Sequence, residues 1–196
     1  NEQTTRGGAE RELRLNDCIF IGKAVFCFLE AEEKLDSPSQ VSVDGLTALP
    51  ARQSFINKLG DAMQAARTNS RQLALFLVGV DDVAVTNEQY GPEAGDAVLQ
   101  EVATRIQRNL DGGMIAGRLR GAVFGLIVPD LLDGVVLDYA EKLRRYLELT
   151  PLLRNGASIP IRVSIGASSM LSHDRERLLE AIDAALSQAK QRGTGI

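Results

Sequence analysis

The sequence predicts an α/β (α+β) fold, in which helices flank a mixed or antiparallel sheet and an N-terminal helix precedes it. After residue 40, segments with helical spacing of apolar residues alternate with short segments of strand character. Two neighbouring strand candidates are separated only by turn residues, which is typical of a hairpin. The 196 residues are 44% hydrophobic and 24% charged, so the chain can bury a sizeable core.

The first predicted domain, residues 1–40, is interpreted as a helix followed by a linker. From Glu10 to Lys34 apolar residues recur at intervals of three and four, which favours a helix. Other apolar residues lie off that stripe, so the helix needs cover from a partner subunit, an upstream domain or its own domain. A strand within Cys18–Phe28 stays an open alternative. Residues 36–40, Asp-Ser-Pro-Ser-Gln, break the pattern as a linker does.

The second predicted domain, residues 41–196, contains helices and strands in alternation. In chain order we expect a helix over Phe55–Ala66, a strand over Leu73–Val80, a helix over Leu99–Leu110, strands over Met114–Arg118 and Ala122–Val128, a helix over Val136–Leu147, a strand over Ile159–Ser168 and a helix over Leu178–Ala189. Arg120-Gly121 supplies the turn between the two adjacent strands. This order matches a ferredoxin-like palm.

Composition and charge exclude several classes of function. A net charge of −4 provides no basic face, so no nucleic-acid partner is expected. His173 is the only histidine, and Cys18 and Cys27 have no further Cys or His at metal spacing, which speaks against zinc sites and His-based triads. The two cysteines are interpreted as reduced thiols. The apolar stretch over Cys18–Leu29 is too short to span a bilayer, so direct membrane insertion is not expected.

Four segments, in this order, resemble the GGDEF family of diguanylate cyclases. The first is Asp44-Gly45-Leu46-Thr47-Ala48-Leu49-Pro50-Ala51-Arg52, against a family pattern of D-x-L-T-x-L-x-N-R. Residues 87–96, NEQYGPEAGD, match N-D-x-x-G-x-x-x-G-D. Residues 163–167 match a family strand, and residues 181–193 match the closing helix. The resemblance covers the chain from Val43 to the C-terminus.

The signature hairpin of the family is altered in this chain. The family pattern R-x-G-G-D-E-F corresponds here to Arg118-Leu119-Arg120-Gly121-Ala122-Val123-Phe124. The first glycine has become Arg120, and the two acids have become Ala122 and Val123. At the end of the first strand, the family's D-I-D corresponds to Gly79-Val80-Asp81.

These changes fall on the positions that the resemblance assigns to metal binding. Family members join two GTP molecules into cyclic di-GMP, and attack on each α-phosphate needs divalent metal. The principal side-chain ligands fall at Gly79 and Val123, neither of which has a side-chain oxygen for Mg²⁺. Asp81 and Asp82 are weak candidates for a displaced cation, with a solvated loop acid as the alternative for Asp82. We therefore expect no metal site and no cofactor, except Mg²⁺ that accompanies GTP if the nucleotide binds.

Arg120 allows three interpretations. A long cationic side chain obstructs the nucleotide where glycine lets it approach closely. Alternatively, its guanidinium pairs with a phosphate and supplies charge in place of the metal. The third interpretation is an exposed arginine in a turn.

Guanine recognition is better preserved in the sequence. The resemblance assigns base contacts to Asn87 and Asp96, whose amide and carboxylate suit the edge of guanine. The alternatives are a helix N-cap for Asn87 and an exposed helix acid for Asp96. Lys190 matches a phosphate-contacting lysine, with a solvent-facing lysine as the alternative. The family's product site R-x-x-D falls at residues 111–114, where neither end matches, and nearby Arg105 and Arg108 do not indicate a ligand.

The sequence therefore predicts a catalytically inactive GGDEF-like domain that regulates, binds GTP or dimerises in bacterial cyclic di-GMP signalling. Its partners would be GTP, a second copy through the N-terminal helix, or an adjacent sensor or EAL-type phosphodiesterase domain. Two alternatives stay open: a residual diguanylate cyclase that uses Asp81 or Asp82, and a pure interaction module with a vestigial cleft. The chain begins without Met, which indicates a fragment. We expect a cytoplasmic location, including the cytoplasmic part of a membrane-tethered protein.

Overall fold

A computed structural model describes residues 18–21, 24–27, 42–169 and 175–192 of the chain. The chain divides into two units, residues 1–40 and 41–196, and each is described by itself. Among the described residues, no helix combines the length and apolar character needed to cross a membrane.

In the first unit, the described residues form two short strands and not a helix. Strand β1 (Cys18–Ile21) pairs antiparallel with β2 (Ala24–Cys27), with Cys18 opposite Cys27. The prediction of a helix is therefore wrong at these residues, and the alternative of a strand within 18–28 is confirmed. Both runs are rich in β-branched and aromatic residues, which favour strands over helices. The rest of the predicted helix and the predicted linker at 36–40 lie outside the described residues.

The second unit is built on a four-stranded antiparallel sheet. Its strands are β3 (Leu73–Val80), β4 (Ile115–Arg120), β5 (Val123–Pro129) and β8 (Val163–Ser169), in the order β4-β5-β3-β8. Strand β3 lies between β5 and β8 and is buried along its whole length, as its continuous apolar run predicts. A second, two-stranded sheet consists of β6 (Leu152–Arg154) and β7 (Ala157–Ile159).

Helices cover both faces of the four-stranded sheet. They are α1 (Arg52–Thr68), α2 (Val83–Tyr90), α3 (Pro92–Arg108), α4 (Val136–Glu148) and α5 (Arg175–Arg192), with a short 3-10 turn over Asp133–Val135. The core on one face joins α1 and α5 to the sheet, and the core on the other face joins α3 and α4 to it. Side chains of β3 alternate between the two cores, as the pleat requires. The predicted α+β class with helices flanking the sheet is confirmed.

Several elements differ from the sequence prediction, including β6 (Leu152–Arg154), which was not predicted, and α3, which begins at Pro92 and not at Leu99. Helix α2 was not predicted, because no side chain within Val83–Tyr90 is buried and so no apolar stripe marks it. The predicted strand over 159–168 is interrupted, with β7 ending at Ile159 and β8 beginning at Val163. The turn between β4 and β5 is formed by Gly121-Ala122, one residue later than predicted.

Helix α1 is held against the hairpin of β4 and β5 through Phe55. Gly117 and Gly125 lie opposite each other in these strands. A Cβ atom on Gly117 would lie 2.7 Å from Phe55 Cβ, and one on Gly125 would lie 2.4 Å from Phe55 Cζ. The fully buried Phe55 ring therefore occupies a slot that exists only because both residues are glycine.

Candidate functional site

The altered positions meet at one end of the sheet. Gly79, near the end of β3, lies directly opposite Val123 at the start of β5. The amide of Val80 donates a hydrogen bond of 2.8 Å to the carbonyl oxygen of Ala122 in the hairpin turn. The structure therefore brings together the three positions that the resemblance associates with catalysis. None of the three side chains carries an oxygen.

Lys190 of α5 fills the space beside Gly79. A Cβ atom on Gly79 would lie 2.5 Å from Lys190 Cε and 2.9 Å from Lys190 Nζ. The ammonium Nζ lies 3.2 Å from Asp81 Oδ1 and 3.5 Å from the carbonyl oxygen of Val80. The other carboxylate oxygen of Asp81 accepts a hydrogen bond of 2.8 Å from Ser164 Oγ. Asp81 is thus paired on both oxygens by groups of the chain itself.

The donor set does not fit a divalent metal ion. A magnesium site in a protein needs carboxylate oxygens that converge on one point. Asp81 is held by Lys190 and Ser164, and Asp82 is an exposed residue in the left-handed conformation, with φ of 55°, at the start of α2. Throughout the described part of the chain, no three acidic, histidine or cysteine side chains cluster in a way that could hold a metal.

Arg118 joins the hairpin to the first of the matched segments. Its Nη1 donates a hydrogen bond of 2.8 Å to Asp44 Oδ1, and its Nε donates one of 2.9 Å to the carbonyl oxygen of Gly121. Asp44 also accepts hydrogen bonds from the backbone N and the hydroxyl of Thr47. The acid and threonine of that segment therefore orient the arginine that supports the turn. Phe124, two residues beyond the turn, is fully buried in the core.

Arg120 is paired with Asp183 of α5. Its guanidinium forms two hydrogen bonds to the carboxylate, of 2.7 Å and 3.1 Å. These hydrogen bonds raise the pKa of Arg120 above its usual value. The backbone reverses at Gly121, whose φ of 44° favours glycine. Arg120 thus forms a bridge between the hairpin and α5.

The residues assigned to guanine recognition lie on α2 and α3. Asn87 Oδ1 is buried and has no hydrogen-bond partner among the described residues. A Cβ atom on Gly95 would lie 2.0 Å from that oxygen, so the amide rests directly against the backbone of α3. Asp96, the next residue, is exposed. A buried acceptor without a partner is costly, and a ligand that donates a hydrogen bond would remove that cost.

Several residues of this region were not singled out from the sequence. Ser164 and Asp183 are ordinary polar residues in an amphipathic strand and helix, and only the fold shows that they contact Asp81 and Arg120. Gly95 could have been found, since it is the second glycine of the matched segment 87–96.

Arg105, which the sequence analysis did not connect with a ligand, is buried within the domain. It donates hydrogen bonds to Glu101, Thr150 and the carbonyl oxygen of Leu147.

Comparison with known proteins gives consistent matches over this second unit. Residues 41–195 match the family described as "Diguanylate cyclase, GGDEF domain". Diguanylate cyclase DosC of Escherichia coli (strain K12) is 28% identical over 196 residues, which is 97% of this chain and 43% of DosC. The crystal structure of the GGDEF domain of DgcB from Caulobacter crescentus in complex with c-di-GMP superposes with a TM-score of 0.71 and 28% identity, covering 77% of this chain and 91% of that one.

A further relative combines two activities in its name. The bifunctional diguanylate cyclase/cyclic di-GMP phosphodiesterase MucR of Pseudomonas aeruginosa is 30% identical over 151 residues, which is 76% of this chain and 22% of MucR. The chain therefore spans less than half the length of either curated relative.

Proposed function

This chain belongs to the GGDEF family and is a GGDEF domain of cyclic di-GMP signalling, and we propose that it has a regulatory role there and does not itself synthesise cyclic di-GMP. The resemblance inferred from the four matched segments is thereby confirmed. We also propose that the domain acts in the cytoplasm. The dimer contact predicted through the N-terminal segment stays a prediction.

One observation supports the loss of synthesis most strongly. Gly79 and Val123 face each other at the position where the family binds its metal, and neither has a side-chain oxygen. Joining two GTP molecules requires stabilisation of charge on the α-phosphate, which the family achieves with divalent cations. The side chains around this position are Lys190, Ser164 and Asp81, and they already satisfy one another.

The residues that the resemblance assigns to guanine recognition support retained nucleotide binding. The buried oxygen of Asn87 accepts no hydrogen bond within the described chain, and Asp96, the residue after Gly95 on α3, is exposed. Guanine has ring and exocyclic N–H groups that an amide oxygen and a carboxylate accept. We therefore propose that GTP binds through its base and acts as a signal to a neighbouring domain. The similarity to MucR supports a phosphodiesterase domain as that neighbour.

Two measurements test this proposal. Synthesis of cyclic di-GMP from GTP, with Mg²⁺ and then Mn²⁺, should fall at least about a hundredfold below that of a GGDEF domain with both acids, because removing one stabilising group costs about 10²–10³ in rate. Calorimetric titration with GTP should show binding that Asn87→Ala and Asp96→Ala weaken. Asp138→Ala, which changes an exposed acid on α4, is the matched control.

The outcomes separate the alternatives. Turnover close to that of an intact cyclase would contradict the loss of synthesis. If turnover is absent and GTP does not bind at millimolar concentration, nucleotide regulation is wrong and a protein-interaction module remains. Equal weakening by Asp138→Ala would show that the titration does not report the guanine contact.

A further inference from the structure

The solvent face of helix α4 carries an exposed leucine at each end. Leu137, in the first turn, is 67% exposed, and Leu149, which follows the last turn in helical conformation, is 74% exposed. The opposite face of the helix buries four residues in the domain core, namely Val136, Ala140, Leu143 and Leu147. Because α4 already buries one apolar face in its own domain, its fold does not need leucines on the other side.

The charged residues between these leucines are separated by sign. Asp138 and Glu141 lie in the N-terminal half of α4, and Lys142 and Arg145 lie in the C-terminal half. Within the helix, Glu141 Oε1 lies 2.6 Å from Arg145 Nε and also pairs with Arg144. The Arg145 side chain is 74% exposed, so its pair with Glu141 contributes little and can be exchanged for a pair across an interface. The helix dipole favours this order of charges but does not account for the leucines.

The order of residues along this face is self-complementary. One row of the helix, with members at intervals of four, consists of Leu137, Glu141, Arg145 and Leu149. The two leucines are each six residues from Leu143, and Glu141 and Arg145 are each two residues from it. A second copy that packs antiparallel on this row therefore places leucine against leucine and glutamate against arginine. Such a match of one patch with itself is what a two-fold axis requires.

We propose that α4 is a contact between two copies of this chain, packed antiparallel about a two-fold axis at the middle of the helix. Leu132 and Val135, which precede α4 and are 63% and 42% exposed, extend the apolar end on which Leu149 of the second copy packs. A helix of 13 residues spans about 20 Å, so the contact is small and the pairing is weak and dependent on concentration. This contact is separate from the dimer predicted through the N-terminal segment, and it does not rest on the proposed function.

Analytical ultracentrifugation of the whole chain without nucleotide, from about 1 μM to about 1 mM, tests the contact. Two variants reverse the charges in opposite senses. Asp138→Lys with Glu141→Lys makes the face basic, and Lys142→Glu with Arg145→Glu makes it acidic. We expect each variant alone to pair at least about tenfold more weakly than the unmodified chain, because like charges then face each other. An equimolar mixture of the two should pair again, since a basic face then meets an acidic one.

A further variant, Leu137→Ser with Leu149→Ser, should weaken pairing at least about tenfold without any change of net charge, because both apolar contacts are lost. The control is Asp61→Lys, which reverses an exposed acid on α1, across the sheet from α4, and should leave pairing unchanged.

Three results would overturn the proposal: a chain that is monomeric at every concentration, a dimer that both charge reversals leave intact, or a mixture that pairs no better than its components. Circular dichroism checks that each variant is folded. If a charge-reversed variant does not fold, the leucine variant decides, and pairing as tight as that of the unmodified chain would contradict the contact.

Discussion

Arg118 Nη1 lies 2.8 Å from Asp44 Oδ1, and this contact joins the hairpin to a segment 74 residues earlier in the chain. The side chain of Arg118 is 14% exposed and that of Asp44 is 25% exposed. Asp44 accepts two further hydrogen bonds from Thr47. The pair therefore has a structural role that does not depend on catalysis.

Asp44→Ala should lower the free energy of unfolding by about 1.5–3 kcal/mol, the range for hydrogen bonds to charged groups. The substitution leaves Arg118 without its carboxylate partner. Chemical denaturation measures the change, and Asp61→Ala, an exposed acid on α1, should change stability by less than about 0.5 kcal/mol. A loss no larger than that of the control would show that the contact contributes nothing.

The contribution of Asp44 should depend on pH in a defined direction. Burial raises its pKa, but hydrogen bonds from Arg118 and Thr47 and the charge of Arg118 lower it more, so the pKa lies below its usual value. A lowered pKa in the folded state means that the stabilisation is complete above about pH 4 and is lost as pH falls through the folded pKa. The difference in stability between the unmodified chain and Asp44→Asn should therefore shrink in acid. A difference that grows below pH 4 would contradict this.

The Arg120–Asp183 bridge should contribute little to stability despite its two hydrogen bonds. Arg120 is 53% exposed, and exposed pairs typically contribute about 0.2–1 kcal/mol. A double-mutant cycle with Arg120→Ala and Asp183→Ala measures the coupling by denaturation. High salt should reduce the coupling further, because exposed charges are screened. A coupling well above this range that resists salt would indicate a desolvated bridge.

Gly95→Ala should disturb the proposed guanine contact of Asn87 and destabilise the domain at the same time. The added Cβ would lie 2.0 Å from Asn87 Oδ1, so the amide must move, at a cost of about 1–3 kcal/mol. GTP affinity should fall with it if Asn87 contacts the base. Gly134→Ala is the control, because a Cβ there meets no atom within 4 Å, and thermal unfolding compares the two. Unchanged stability in Gly95→Ala would show that the amide is not packed as described.

Arg105 should be essential for the packing of α3 against the end of α4. Arg105→Met keeps the bulk of the side chain but leaves the carbonyl oxygen of Leu147 without this donor, at a cost of about 1–3 kcal/mol. Arg108→Met, at the exposed end of the same helix, should cost less than about 0.5 kcal/mol. Similar losses in the two variants would contradict a specific role for Arg105.

Elements that bury an apolar face could be predicted from the sequence, and the others could not. Leu73–Val80 was predicted with its observed bounds because eight consecutive residues are buried. Helix α2 escaped prediction because it buries none of its side chains. In the first unit, helical spacing in the sequence competed with β-branched and aromatic composition, and the described strands follow the composition.

The absence of acids in the candidate site could be predicted from the sequence, but the side-chain contacts around those positions could not. The motif showed that positions 79, 122 and 123 lack acids. It could not show that Lys190, 111 residues after Gly79, enters the space that the missing side chain leaves, because that contact depends on the packing of α5 against β3. The pairing of Arg120 with Asp183 was hidden for the same reason.

The slot that Gly117 and Gly125 provide for Phe55 has a consequence for how such a domain can evolve. Three residues without functional groups fix the hairpin on α1, while the atoms nearest to a Cβ atom on Gly79 belong to Lys190 and Leu186. A substitution at Gly79 therefore leaves the packing of Phe55 in place, whereas a change at any of the three residues would require compensation at the others. A lineage that abandons an enzymatic reaction can in this way inherit a folded surface, on which selection acts for a different purpose.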